Sequence, residues 1–504
     1  MNAANLALFA ALPLLAAGLT VVVRHPLLDR VLLIGVPLAV AAGGAWLIGV
    51  HQSTPVLAHN VAGFVPGVAI PFVSDTVTAM MFVVTGLTTA MCGWFLVATG
   101  EDRYRFVPPL ALMLMAGVNG ALMTGDLFNL FVFVEVMLLP SYALIAVTGT
   151  WRRLGIGRVF ILVNLLTSTF LLISVGFVYG VAGSVNLAVL QGRAAEDPRV
   201  AMAIITVLLA LTIKAGAVPV HGWLPTSYPA TSAGMMALFS GLHTKVALYA
   251  VYRIYATTFG EVAPWVWVLI VVVVVTMLVG AICTAGVSRI RPAMAFQMVS
   301  GVGHILLGLV VFTTDALAAG LFYLAHHVIT MGALLLLTGA LEQVYGSGRY
   351  DRLGGLMRRE PWIAVAFTLG LFSLVGLPPT SGLWGKVGLV VGASQAPAAV
   401  AAVLIGAIIL ASLASLMALQ RLWEQVFWGP PMERYAPDDP LAGRAPLVAL
   451  TDDVRVPASL AAPGYVLIVV SVLMFVFGGV LYPIAQSAGL ALTDLAPYVQ
   501  AVLG

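Results

Sequence analysis

Charged residues are scarce in this chain. They make up 9% of its 504 residues, whereas hydrophobic residues make up 61%; an ordinary soluble protein has about 25% and about 45–50%. So few charges exclude an ordinary water-soluble globule, and a core this apolar requires lipid around it. The composition therefore predicts an all-α polytopic membrane protein.

Cysteines and basic runs are also scarce. The two cysteines, Cys92 and Cys283, each lie in an apolar run, so neither a disulfide framework nor a cysteine-based metal site is expected. The net charge is only +3 and no run of Arg or Lys occurs, which argues against nucleic acid as a partner. The expected partners are the lipid bilayer and other membrane subunits, and we expect no metal and no cofactor.

Long apolar runs are abundant instead. Runs able to cross about 30 Å of hydrocarbon recur along the whole chain. The first is expected to be a permanent span, because its positive charges, Arg24 and Arg30, follow it, whereas those of a signal peptide come first. We place fourteen spans in a single transmembrane domain, 1–504, near residues 5–23, 31–50, 78–98, 107–124, 127–148, 159–183, 201–220, 232–257, 264–286, 292–312, 317–342, 362–391, 397–422 and 464–483.

The arginines test this count, because cytoplasmic loops carry the excess of positive charge. Only Arg193, Arg199 and Arg253 fall in even-numbered loops. A miscount by one span would destroy this alternation, so the alternation supports the count. Because the arginine-rich odd-numbered loops are predicted to be cytoplasmic, both termini are predicted on the outer side of the cytoplasmic (inner) membrane. The odd-numbered loops hold the other seventeen arginines, at positions 24, 30, 103, 105, 152, 153, 158, 289, 291, 349, 352, 358, 359, 421, 434, 444 and 455.

The chain contains three lysines, and all three lie inside predicted spans: Lys214, Lys245 and Lys386. Arginine holds its proton, whereas a desolvated lysine ammonium releases one readily. An ionisable residue inside the membrane costs about 2.5–3.5 kcal/mol at mid-bilayer and is functional by default. The lysines are therefore candidates for ion translocation; the alternative is that a buried lysine ties a broken helix to a carboxylate.

Glu135 is the candidate carboxylate. It lies in the run LFNLFVFVEVMLLPSYALI, nine residues past Asp126, which puts it near the bilayer centre at about 1.5 Å per residue. Such a group needs a buried partner. Asp126 and Asp315 lie near span ends, where a solvated charge at a helix N-terminus is the simpler interpretation.

Two spans contain helix-breaking residues. The seventh contains IKAGAVPVHGWLPTSYPATSAG and the twelfth contains FSLVGLPPTSGLWGKVGLV. Interrupted helices in corresponding positions of two halves are a sequence pointer to a transport site. The tripeptide Pro-Thr-Ser recurs at 225–227 and 379–381. We therefore predict helices one to three over 1–98, inverted five-helix repeats over 107–258 and 264–422, and helix fourteen with a tail over 464–504.

Four histidines lie within spans: His243, His304, His326 and His327. Imidazole titrates near neutral pH, so the adjacent pair His326 and His327 is predicted to include a proton relay. His304 and His243 are possible additional relay groups, or simply hydrogen-bonded side chains. Haem ligation is an alternative that needs two histidines at matched depth on facing helices.

Four strings carry a family resemblance. The chain resembles the D subunit of the Mrp-type multisubunit Na+/H+ antiporters, and its lysine-bearing strings are also similar to the antiporter-like subunits of respiratory complex I and membrane-bound hydrogenases. The strings are TGDLFNLFVFVEVMLLPSY (124–142), IKAGAVPVHGWLPTSYPATSAGMMALFSGLHTKVALYAVYR (213–253), LGLFSLVGLPPTSGLWGKVGL (369–389) and LTDLAPYVQAVLG (492–504).

The resemblance implies fourteen helices, inverted repeats with broken seventh and twelfth helices, and a midplane chain of polar residues. Matched by position, that chain comprises Glu135, Lys214, Lys245, His326 and Lys386. It also implies transport of H+ and a monovalent cation, Na+ in the named family, by a complex in the bacterial cytoplasmic membrane.

Two positions depart from the family pattern. Met331 stands where related subunits often have a lysine, and Gly301 stands where helix ten has a polar residue. His304 is three residues further on the same helical face and can replace that residue. The central relay would then run through His326, His327 and His304.

The interpretation favoured by the sequence is a proton- and cation-translocating antiporter subunit, not an enzyme. The alternatives are a proton-pumping subunit of a complex I or hydrogenase assembly, a cofactor-binding redox protein, and a solitary solute symporter.

Overall fold

In this computed structural model the chain is described over residues 3–147, 151–436 and 447–504, without the side chains of residues 151–154. The side chains of Arg152, Arg153 and Arg444, which the topology prediction counted, lie outside the described part. Everything below refers to the described residues.

The fold is almost entirely helical, with two small hairpins. The strands are β1 Leu57–Asn60, β2 Pro71–Ser74, β3 Arg434–Tyr435 and β4 Val448–Ala449, paired antiparallel as β1 with β2 and β3 with β4. The helices are α1 Leu8–Val22, α2 Pro26–Val50, α3 Thr76–Thr99, α4 Val107–Met123, α5 Leu127–Ala146, α6 Trp151–Ala182, α7 Arg193–Glu196, α8 Pro198–Ala215, α9 Trp223–Ser227, α10 Ala233–Thr258, α11 Val266–Ala285, α12 Ile290–Val311, α13 Thr314–Tyr345, α14 Leu356–Arg359, α15 Pro361–Val375, α16 Ser381–Ser394, α17 Ala398–Trp423, α18 Ala458–Val476, α19 Gly478–Thr493 and α20 Ala496–Leu503.

The described helices agree with the predicted fourteen spans. Eleven of them are long and apolar enough to cross a membrane. The remaining three predicted spans correspond to α4, which has 17 residues, to α10, whose polar side chains lower its hydropathy, and to α15 with α16, which share one span across a break. The prediction of an all-α polytopic membrane protein is confirmed.

The predicted end of the last span is wrong. The sequence indicated one helix over 464–483, whereas α18 begins at Ala458 and ends at Val476 and a separate helix, α19, follows. The indole N–H of Trp384 donates to the Phe475 carbonyl at 2.9 Å, an acceptor that the next helical turn would otherwise use. The helix ends just before the pair Gly478 and Gly479, a local breaking signal, and glycine at 478 also leaves room for the Trp384 indole.

Two other boundaries differ from the prediction. The sixth helix begins at Trp151, not near residue 159, and α8 ends at Ala215, not near residue 220. Gly216 caps α8 in the left-handed conformation at φ +84°, a conformation that glycine adopts at little cost. The early end of α8 is thus the predicted break of the seventh span.

The break of the twelfth span has the same local form. Gly376 caps α15 at φ +94°, and Pro378 and Pro379 follow before α16 begins at Ser381. Proline offers no backbone N–H, so the helical ladder lapses in both spans shortly after a capping glycine. Both breaks occur inside the helix bundle, as the sequence predicted.

The loops collect on two faces. On one face, Arg30 near the start of α2 pairs with Asp102 of loop three at 2.7 Å, and loops nine and eleven are bridged at Arg289 and Arg349. These are odd-numbered loops, which carry most of the arginines. We call this side of the molecule the arginine face.

The even-numbered loops meet on the opposite face. Phe72 of loop two bridges Thr124 of loop four, and the Asn60 amide donates to the Val502 carbonyl at 3.3 Å near the C-terminus. Alternation of odd and even loops between the two faces is what fourteen successive crossings require. The arginine asymmetry therefore distinguishes the two faces of the folded chain.

Helix α13 lies at the centre. It has 32 residues, is buried along almost its whole length, and packs against α3, α10, α12, α16, α18 and α19. Matching neighbours surround the two breaks: α8 packs on α6 and α10, and α16 packs on α13 and α17. These matched neighbours support the division into repeats at 107–258 and 264–422, which remains a prediction.

The two faces make a prediction about orientation. In a chain whose native cysteines are replaced by alanine, Arg358→Cys on the arginine face should be protected from a membrane-impermeant thiol reagent in intact cells, because the positive excess marks the cytoplasmic side. Ser53→Cys on the opposite face should react. Both positions are exposed, so protection reports sidedness. If Arg358→Cys were labelled from outside and Ser53→Cys were not, the orientation would be the opposite of the one predicted.

Candidate ion-translocation site

The predicted site residues lie on six helices, one of which is the central helix α13. The lysines and histidines are buried, and Glu135 is half-buried. Glu135 is on α5, Lys214 on α8, His243 and Lys245 on α10, His304 on α12, His326 and His327 on α13, and Lys386 on α16.

Lys214 lies in the last turn of α8, immediately before the break. Its Nζ donates to Oδ1 of Asn164 at 3.3 Å, and the Asn164 amide donates in turn to the Phe160 carbonyl at 2.9 Å. The partial negative charge at a helix C-terminus favours a cation there. The described hydrogen-bond partner of the ammonium is therefore a neutral amide oxygen.

Glu135 acts on Lys214 at a distance. The Glu135 carboxylate interacts electrostatically with the Lys214 ammonium and with Tyr142, but within the described residues no ion pair shorter than 4.0 Å joins Glu135 to Lys214. Oε1 of Glu135 is buried and has no hydrogen-bond partner in the described part of the chain. This carboxylate thus has an unused acceptor facing the interior.

Lys386 occupies the second break. Its Nζ donates to the carbonyl of Val375, the last residue of α15, at 2.8 Å and to Oγ of Ser412 on α17 at 2.6 Å. Lys386 therefore combines a backbone carbonyl at the break with one neutral side chain, whereas the described hydrogen-bond partner of Lys214 is the neutral amide of Asn164.

His243 is held on both ring nitrogens. Nε2 lies 2.7 Å from Oγ of Ser141, and Nδ1 lies 3.3 Å from the hydroxyl of Tyr228. Ser141 donates its own proton to the Met137 carbonyl at 2.7 Å, so it can only accept from His243, and the neutral ring carries its proton on Nε2. His243 also interacts electrostatically with Lys214.

Lys245 is fully buried on the same helix. Its Nζ donates to Oγ1 of Thr244 at 3.0 Å. Among the described residues no carboxylate pairs with it. Its ammonium interacts electrostatically with the ring of His327 on α13, which links the first repeat to the central helix.

The adjacent histidines of α13 have different surroundings. Their ring planes are 88° apart. Nδ1 of His326 lies within 3.3 Å of three hydroxyls that belong to a cluster containing Thr330, Ser373, Ser381 and Ser471. His327 faces away from this hydroxyl cluster, towards α12.

His304 shares an aromatic stack with Tyr323. Its Nδ1 donates to the Ser300 carbonyl at 2.9 Å, and the Tyr323 ring lies parallel to it with centroids 5.0 Å apart. The same ring meets His326 edge-on at 4.9 Å. Tyr323 therefore fills the space between the two imidazoles, and the residues do not fit a haem there.

Sequence reasoning missed several polar partners. Asn164, Ser141 and Tyr228 hold Lys214 and His243, and Ser471 brings α18 into the hydroxyl cluster. The recurring Pro-Thr-Ser was a usable signal for Ser381, since it ends at that residue. No sequence signal marked Ser471, which lies in an ordinary apolar run.

Glu135 is also not the single buried glutamate. Glu342 pairs with Arg291 at 2.8 Å, and Glu360 accepts from Tyr345 at 2.6 Å; both carboxylates are buried at the ends of their helices. A third buried acid, Asp75, pairs with Arg253 at 2.6 Å. These acids are satisfied by direct partners, whereas Glu135 is not.

Comparison with known proteins identifies the family. The family model described as NADH:quinone oxidoreductase/Mrp antiporter, TM matches residues 124–413. The chain is 30% identical over 450 residues to the D subunit of the Na(+)/H(+) antiporter of Bacillus subtilis (strain 168), covering 88% of each chain. It is 32% identical over 367 residues to the D subunit of the Na(+)/H(+) antiporter of Alkalihalophilus pseudofirmus, covering 71% of this chain and 74% of that one.

A solved structure agrees over the full length. The chain is similar to one in the Mrp complex from Dietzia sp. DQ12-45-1b, with a TM-score of 0.93, 42% identity, and coverage of 100% of this chain and 99% of that one. The chain belongs to the D-subunit family of Mrp-type Na+/H+ antiporters. It is therefore a multi-pass transporter subunit and not an enzyme, and the resemblance drawn from the sequence is confirmed.

In this antiporter family member, the contact between Lys214 and Asn164 makes a prediction. Asn164→Asp would place a carboxylate at the ammonium, where two unit charges at 4 Å attract by about 4 kcal/mol at an effective dielectric of 20. This ion pair would stabilise the protonated form of Lys214. If Lys214 must release a proton in each cycle, the exchange rate, measured with a pH-sensitive dye in inverted vesicles, should fall more than tenfold.

The matched control is Asn164→Ser, which keeps a polar group and adds no charge. It should retain most of the exchange activity. Equal loss in both variants at normal assembly would show that the amide itself, and not the protonation state of Lys214, is what matters at this position.

Proposed function

We propose that this chain is the proton- and cation-translocating subunit of a multisubunit Na+/H+ antiporter in the bacterial cytoplasmic membrane, with both termini on the outer side. The observation that carries the proposal is a series of titratable side chains inside the bundle: the half-buried Glu135, and the buried lysines and histidines, whose direct partners among the described residues are neutral. The assignment of Na+ and H+ as the exchanged ions is supported by relatives named as D subunits of Na(+)/H(+) antiporters.

The partners are other membrane subunits of the same complex. The similar chain from Dietzia belongs to an Mrp complex. The surface of this chain offers many apolar side chains on its outer helices, as lipid and subunit contacts both require. The arginine face is assigned to the cytoplasm by its excess of positive charge.

Proton transfer in this site is a matter of charge balance. At rest, Glu135 stabilises the protonated Lys214 through space, and Asn164 holds the ammonium in position. When a cation or a neighbouring charge disturbs that balance, Lys214 releases its proton towards Lys245, the histidines and Lys386. No covalent chemistry is involved.

Neutral hydrogen-bond partners suit this role. An amide, a hydroxyl or a carbonyl oxygen holds an ammonium group but also tolerates the neutral amine, which remains a donor and becomes an acceptor. A carboxylate in direct contact would favour the charged form by several kcal/mol. The site therefore keeps each lysine able to change its protonation state.

The Glu135 carboxylate gives the first test. Glu135→Gln removes the charge while keeping size and hydrogen-bonding capacity, so Lys214 loses its counter-charge and Na+-driven proton movement should fall at least tenfold. Assembly with partner subunits should persist, because Glu135 makes no direct ion pair in the described structure. Wild-type exchange by this variant would show that Glu135 is structural.

A matched control is Glu424→Gln. Glu424 is an exposed acid whose described side-chain partner is the Gln420 amide at 2.9 Å. The same chemical change there should leave exchange and assembly unchanged, so the contrast between the two variants isolates the buried carboxylate.

The break lysines give the second test. Lys214→Arg and Lys386→Arg keep a positive charge but cannot release a proton under physiological conditions. Both variants should assemble and yet lose exchange in inverted vesicles. Full exchange by either one would show that its lysine supplies charge and does not carry protons.

Steric misfit is the competing explanation, because guanidinium is larger than ammonium. A melting profile equal to that of wild type would argue against misfit. Lys214→Met and Lys386→Met, which remove the charge, should be equally inactive if proton release is the shared requirement.

A further inference from the structure

Gly301 on α12 stands directly against the imidazole of His327 on α13. A Cβ atom at position 301 would lie 2.0 Å from Nε2 of His327 and 2.4 Å from Cδ2. Both contacts are far below van der Waals separation. The His327 ring therefore occupies the space that any side chain at position 301 would take.

His327 is loosely held in that space. Its Nε2 lies 3.5 Å from the Gln297 carbonyl, at the long limit of a hydrogen bond, and its Nδ1 is buried with no partner among the described residues. A carbonyl only accepts, so the neutral ring carries its proton on Nε2 and presents a free basic nitrogen at Nδ1. A buried polar atom without a hydrogen-bond partner is uncommon and calls for an explanation.

The position of His327 supplies that explanation. Of the three central histidines, His327 is the one whose ring interacts electrostatically with Lys245, whereas His304 and His326 interact with Lys386. His327 also interacts with His304 and His326. It therefore stands between the lysine of the first repeat and the groups of the second.

We propose that His327, in the space left open by Gly301, is the group that carries protons between the two repeats, and that Gly301 is its positioning residue. The proposal deepens the proposed function and rests on it. Nδ1 of His327 accepts a proton from the Lys245 ammonium, which becomes a neutral amine. The imidazolium then releases one proton to the unpartnered Nε2 of either His304 or His326, and His327 returns to its neutral form.

The assignment differs from the one that the family pattern implies by position. That pattern matches the central relay to His326, and it replaces the missing polar residue of α12 by His304. In the structure, Nδ1 of His326 is engaged by hydroxyls and His304 is stacked on Tyr323. A side chain from α13, and not one from α12, fills the place beside Gly301.

The first experiment is Gly301→Ala in the assembled complex, reconstituted in proteoliposomes. The added methyl displaces the His327 ring without changing any charge, so the maximal exchange rate should fall at least tenfold while the apparent KM for Na+ stays within twofold. The matched control is Gly303→Ala, whose Cβ would meet Met277 and the α11 backbone at 2.6–2.9 Å and no titratable group. It should lower yield but not the exchange rate per assembled complex.

The second experiment moves the imidazole to the opposite helix. His327→Gly alone should lower the exchange rate about a hundredfold but leave a measurable remainder, and adding Gly301→His should restore at least a tenth of the wild-type rate, because an imidazole again fills the same space. Adding Gly301→Ala to His327→Gly should cause no further loss, since the glycine acts only through the ring. No recovery by the swapped pair, or additive losses, would overturn the proposal.

Measuring Glu135→Gln in parallel distinguishes failure of the His327 proposal from failure of the proposed function. If Gly301→Ala exchanges at the wild-type rate while Glu135→Gln does not, protons cross between the repeats elsewhere and the proposed function stands. If both variants exchange at the wild-type rate, the ion pathway does not use these residues and the proposed function fails as well.

Discussion

Three ammonium groups are buried without a carboxylate in contact within the described structure, and the arrangement of the interior follows from that constraint. Taking an ion out of water costs several kcal/mol unless its partners are well placed. The buried arginines meet this cost with direct carboxylate pairs, such as Arg253 with Asp75 at 2.6 Å. The lysines meet it with neutral oxygens: Asn164, Thr244, and Ser412 together with the Val375 carbonyl. Fixed charges and titratable charges are thus held by different chemistry.

The helix breaks provide part of these oxygens. A continuous helix uses every backbone carbonyl internally, so an intact twelfth span could not offer the Val375 carbonyl to Lys386. Glycine in the left-handed conformation and the prolines that follow end the ladder at a chosen place inside the bundle, where protein covers the exposed groups. The break of the twelfth span therefore supplies Lys386 with one of its two oxygen partners.

Much of the fold was predictable because its signals are local. Arginine alternation, apolar run length and Gly/Pro clusters gave the number of spans, the two faces and both breaks. The end of α18 was missed although Gly478 and Gly479 mark it locally, whereas the hydrogen bond from the Trp384 indole to the Phe475 carbonyl is visible only in the folded chain. The same holds for the site. The lysines and histidines are conspicuous in an apolar sequence, whereas Asn164, Ser141 and Ser471 become relevant only through tertiary contacts. Gly301 was recognised as a departure, but the sequence pointed to His304 as its replacement and the structure places His327 there.

Ser471 makes the two halves unequal. It belongs to α18, which lies outside both predicted repeats, and it joins the hydroxyls around His326, whereas His243 of the first half is held by Ser141 and Tyr228 from within its own half. A path of two identical halves would present the same energy profile to a proton entering from either end. Unequal partners cannot alter the equilibrium, which the ion gradients determine, but they do give the path a direction-dependent sequence of wells. In the proposed path, α18 therefore contributes to the well at His326 from outside both predicted repeats, so opposite directions of transfer need not be limited by the same step.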